Sequence, residues 1–208
     1  METQEKASER ARAIAREVLV EAFGASATPF VPVPFIDDWM LARLLRRIAG
    51  KVLARHALTS PPELPKVIVD AYVDEGSSSS LARSVVVGAA RFVVRKLAVV
   101  LDVKKSYDVF GQSIVFALAL DLAAAQGWLH EASAERVGAA VYRTMQIVGS
   151  GAIGSLGSLG SLGRAGRAAY AKGGPSQLAD AIAAEVDRTR GLLEPVLRQE
   201  LRVPANYA

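Results

Sequence analysis

The stretch Tyr107–Gly127, YDVFGQSIVFALALDLAAAQG, decides how the chain must fold. Ser106 stands before it as a helix cap. Beyond Asp108 the segment carries one charge, Asp121, and its apolar residues fall on every side of a 3.6-residue helix. Such a helix is stable only when other elements surround it, so it is read as the central buried helix of an all-α bundle. The preceding segment, Leu81–Val103, is also apolar, and its valine runs suit helix or strand; its length and alanine content favour helix. A turn near 104–105 then makes the two segments an antiparallel hairpin. In that hairpin Asp121 lies within reach of Arg91, with Arg95 as the substitute, and a buried Asp121–Arg91 ion pair is expected.

Working outward, residues 5–23 form an amphipathic helix through Ala11, Ile14, Ala15, Val18 and Ala22, with Gly24 as its stop. Pro29, Pro32 and Pro34 forbid helix in the loop 24–36 that follows. This loop is unusually apolar, with Phe30, Val31, Val33, Phe35 and Ile36. Either it packs over the core or it meets an apolar surface outside. Asp37 caps the next helix, which runs to about Ala57. Leu41, Leu44, Leu45, Ile48 and Val52 make its apolar arc, Arg43, Arg46, Arg47 and Lys51 lie toward the other side, and Trp39 stands near the start. A basic amphipathic helix beside an aromatic loop suits an anionic bilayer surface. An ordinary helix with arginine on its wet face has the same pattern.

A short helix is expected over Glu63–Val73, and the glycine and serines at 76–80 mark a loop. Another helix starts near Ser133, passes through Val137, Ala140, Val141 and Met145, and enters the uncharged stretch Thr144–Gly163, TMQIVGSGAIGSLGSLGSLG. There glycine recurs every third residue at Gly151, Gly154, Gly157, Gly160 and Gly163. As an α-helix this segment offers small residues on almost every face and permits close helix packing; as a flexible linker it touches nothing. It is too poor in large apolar residues to insert in a bilayer alone. Ser176 caps a last helix, 175–202, which Gly191 and Pro195 bend. The whole, 1–208, reads as one helical domain.

Charge alternates in blocks. Residues 37–57 carry five basic and two acidic groups, 58–80 one against four, and 136–173 five against none. Antiparallel neighbours would turn much of this into internal complementarity. The net charge is +4 and cysteine is absent, which excludes disulfides and thiolate metal sites. The charged N-terminus shows no secretory signal, and a cytoplasmic protein is expected, at the inner face of a membrane where it attaches to one.

Chemistry-bearing motifs are scarce. Gly149–Gly154, GSGAIG, matches the dinucleotide-binding pattern, but no acidic residue stands near position 170 and the glycine period continues past the motif. No phosphate-binding loop, serine-nucleophile elbow or nucleic-acid motif appears. His56 and His130 stand without spaced ligands, as helix-end or surface histidines. No catalytic residue, metal site or cofactor is expected, and nucleic acid is not an expected partner.

Two segments resemble a known family. VPVPFIDDWMLARLLRRIAGKVLARH, Val31–His56, and the glycine-rich run ending in GRAGRAAY, Gly163–Tyr170, are similar to the YcjF-like family of helical, membrane-associated proteins that accompany small GTPases. The resemblance implies membrane association and a partner protein, and it carries no catalytic residues. The leading expectation is a non-catalytic helical protein, peripherally bound to an anionic membrane, that regulates or scaffolds a partner. Its surface would be Phe30, Val31, Phe35, Trp39, Arg43, Arg47 and Lys51. A soluble module that self-assembles into a homo-oligomer is the alternative, and a dinucleotide-binding enzyme the third.

Overall fold

The computed structural model describes residues 2–27, 36–58, 61–87, 95–149 and 175–201. They form seven helices and, among the described residues, no strand: α1 Glu2–Ala27, α2 Ile36–Arg55, α3 Leu64–Val87, α4 Arg95–Ala125, α5 Trp128–Glu131, α6 Ala134–Gly149 and α7 Pro175–Leu201. The all-α expectation holds.

Helix α4 occupies the middle. Ser113 to Ala123 are buried without a break, because leucine, alanine, isoleucine and phenylalanine occupy every face. Around it α1 neighbours α2, α2 neighbours α3, α3 neighbours α6, α6 neighbours α7, and α7 closes back on α1. Phe116 of α4 meets Tyr72 of α3 edge-on at 5.2 Å between ring centres, and Tyr72 meets Tyr142 of α6 at 5.4 Å. The amphipathic helices turn their apolar arcs inward: Ala11, Ile14, Ala15, Val18 and Ala22 from α1, and Leu45, Ile48, Ala49 and Val52 from α2.

Ion pairs cross every seam of the ring. Lys51–Glu21 and Arg55–Glu17 join α1 to α2, Arg46–Asp70 joins α2 to α3, and Arg143 bonds Glu75 of α3 and Glu200 of α7. Arg12–Asp187 closes α1 onto α7. The basic and acidic blocks are in part this complementarity. Rising numbers on α2 meet falling numbers on α1, so those two run antiparallel. Ile68 lies against Gly138 and Glu75 against Arg143, so α3 and α6 run parallel.

Several boundaries differ from the sequence expectation. Helix α1 continues through Gly24 to Ala27. Asp37 is the second residue of α2, inside the helix instead of capping it. The expected loop at 76–80 is helical, because α3 continues to Val87; Gly76 lies beneath the Tyr142 ring of the adjacent α6. Residues 104–105 lie inside α4, so the hairpin turn placed there does not exist. Ser133 does cap α6, its Oγ accepting the Arg136 amide at 3.3 Å. Pro175, the first residue of α7, suits that position, where its missing N–H costs nothing.

Helix α2 ends without glycine. Leu58 N–H reaches the Leu53 carbonyl at 2.9 Å and Ala57 N–H the Ala54 carbonyl at 3.0 Å. These two bonds close a left-handed stop with Ala57 at φ 57°.

Candidate functional site

The outer face of α2 holds the best candidate surface. Trp39 is 57% exposed, far more than a large aromatic side chain on a packed bundle usually is. The Arg43 guanidinium lies 5.3 Å from its ring centre, a cation–π geometry. Arg47 is exposed one turn further on. Trp39, Arg43 and Arg47 are spaced four apart, so they line one edge of the helix while Leu45, Ile48 and Ala49 face the core. The structure thus brings together three of the residues expected on the membrane or partner surface. Lys51 is engaged elsewhere: its Nζ lies 2.9 Å from a Glu21 carboxylate oxygen and donates to the Glu17 carbonyl at 3.0 Å. Phe30, Val31 and Phe35 lie outside the described residues.

The second cluster lies at the other end of α2. Asp121, in the buried part of α4, is bonded to His56: Nε2 lies 2.7 Å from Oδ1, with side-chain exposures of 16% and 4%. Arg91, the expected partner, lies outside the described residues, and the hairpin that motivated it is not formed. Sequence reasoning placed His56 at a helix end, where it is, but missed its partner. Only the buried position of Asp121 signalled that a partner was needed.

Ser113 Oγ, also on α4, donates to the Val109 carbonyl at 2.8 Å within its own helix. Among the described residues no three His, Cys, Asp or Glu side chains are grouped to hold a metal ion. Gly149 is the last residue of α6, and the rest of GSGAIG lies outside the described residues, as do Gly151, Gly154, Gly157, Gly160 and Gly163. Among the described residues a close helix approach occurs at Gly138 on α6. A Cβ there would lie 2.2 Å from the Ile68 carbonyl oxygen and 3.0 Å from the Ala71 Cβ.

Among the described residues no helix is long and apolar enough to cross a membrane. Comparison with family models, with curated proteins and with solved structures finds no match.

Proposed function

We propose that the protein is a non-catalytic helical module that lies on an anionic membrane surface through the outer face of α2 and there regulates or scaffolds a partner protein. The observation that carries the reading is the exposed Trp39 with Arg43 over its ring and Arg47 one turn away. Tryptophan favours the headgroup region because its ring is apolar and its N–H is wet. Arginine adds attraction to anionic lipid, about 1 kcal/mol per cation near the surface. The apolar run from Phe30 to Ile36 leads directly into this helix and would add buried area. The resemblance of Val31–His56 to the YcjF-like family points the same way, toward the inner membrane face and a protein partner.

The test is co-sedimentation with vesicles of phosphatidylcholine alone and of phosphatidylcholine mixed with phosphatidylserine. Binding is expected only to the mixed vesicles and is expected to weaken with salt. Arg43→Gln with Arg47→Gln should lower the affinity roughly 30-fold, and Trp39→Ala should lower it further without changing helicity. A parent protein that ignores anionic vesicles and runs as a discrete oligomer would replace this reading with self-assembly.

A further inference from the structure

Trp39, Arg43, Arg47, Lys51 and Arg55 occupy one row of α2, each four residues from the next. The row spans about 24 Å. Its two halves differ in what they face. Trp39, Arg43 and Arg47 are exposed. Lys51 and Arg55 meet a matching row of α1, in which Glu17 and Glu21 are also four apart. Antiparallel packing sets Glu21 on Lys51 at 2.9 Å and Glu17 on Arg55 at 3.3 Å. The remaining base of the helix, Arg46, lies off the row and is bonded to Asp70 of α3 at 2.6 Å.

We infer that Glu17 and Glu21 are an intramolecular competitor for the basic row, holding its C-terminal half neutral and confining contact with an anionic bilayer to Arg43 and Arg47. The inference rests on the membrane reading above and adds its regulation. Lys51 and Arg55 keep 38% of their side chains exposed, so both remain open to solvent while paired. The Arg55–Glu17 pair is exposed on both sides and contributes little to folding, whereas Glu21 keeps only 12% of its side chain exposed. The acidic halves of the two pairs matter more outward: each cancels one cation and sets a negative charge beside the lipid-facing edge. Removing both acids turns two open cations along the row into four. Anything that neutralises or displaces the Glu17–Glu21 edge of α1 therefore strengthens attachment without creating a new binding residue.

The experiment compares parent protein, Glu17→Gln with Glu21→Gln, and Glu75→Gln with Glu200→Gln, on vesicles containing phosphatidylserine. The third protein has the same net charge as the second, but its lost acids pair with Arg143, away from the row. Glu17→Gln with Glu21→Gln should bind roughly 30-fold more tightly than the parent, from two cations at about 1 kcal/mol each, and should lose affinity more steeply with salt. The charge-matched protein should stay within about twofold of the parent. Equal gains in both variants would mean that binding follows net charge, and no gain in the first would mean that the acids do not compete; either overturns the inference while the parent still binds. A parent that does not bind removes the membrane reading, and this inference with it. Where a double variant melts early, Glu21→Gln against Asp187→Asn makes the same comparison, with about a fivefold gain expected for the first only.

Discussion

His56 Nε2 lies 2.7 Å from Asp121 Oδ1 and ties the turn that ends α2 to the buried C-terminal part of α4. Asp121 is only 3% exposed, and a buried charge without a partner is costly. The bond also fixes where the far end of α2 sits, and so the direction of the row that begins at Trp39.

Replacing His56 with alanine should therefore destabilise the fold by about 3 kcal/mol, because the buried carboxylate is left behind. Adding Asp121→Leu to that variant should recover a large part of the loss. Urea denaturation of both single variants and the double variant measures the coupling. A His56→Ala protein as stable as the parent would show that the pair contributes nothing.

The helix glycines Gly138, buried, and Gly191, exposed, should respond to alanine with opposite signs. At Gly138 the new methyl meets the Ile68 carbonyl oxygen at 2.2 Å, so α3 and α6 must separate, at a cost of about 3 kcal/mol. At Gly191 on α7 a Cβ meets nothing within 4 Å, and alanine should add about 1 kcal/mol through helix propensity. Thermal melts distinguish the two outcomes directly.

Ala57 holds φ 57° at the end of α2, a conformation in which its Cβ crowds the backbone. Ala57→Gly should keep both closing hydrogen bonds and raise stability by about 1 kcal/mol. A fall in melting temperature would mean that the alanine methyl contributes more by packing than it costs in strain.

Burial, and then the neighbouring Tyr142 phenol, raise the Tyr72 phenol well above its ordinary value of 10.0. In the unfolded chain that phenol ionises near the ordinary value, while in the folded protein it stays neutral. Its contribution is thus fully present below about pH 10 and is lost as pH climbs from there toward the folded value. Tyr72→Phe should remove this part of the alkaline decline. Denaturation midpoints at about pH 9 and about pH 11 should differ less in the variant than in the parent.

The helical class, the buried position of α4 and the inward arcs of α1 and α2 could be read from residue order, because each depends on the spacing of apolar side chains within one helix. The extent of α3 could not. Gly76 and the serines after it favour a loop locally, yet α3 runs through them, and at Gly76 the Tyr142 ring of α6 packs at 3.0 Å from where a Cβ would lie. The short helix α5 was missed too: its four residues are too few to show a period.

Of the candidate surface, residue order by itself determined that Trp39, Arg43, Arg47 and Lys51 share one side of a helix, since a spacing of four sets the angle between them. Only the tertiary structure decided that Lys51 faces Glu21 while Arg43 stays open, and that Asp121 meets His56, 65 residues away. Charge blocks announce that bases and acids will meet, but a pairing such as Arg12 with Asp187 joins residues 175 apart. Which base meets which acid depends on which helices become neighbours around α4 and in which direction each runs, and no local spacing encodes that.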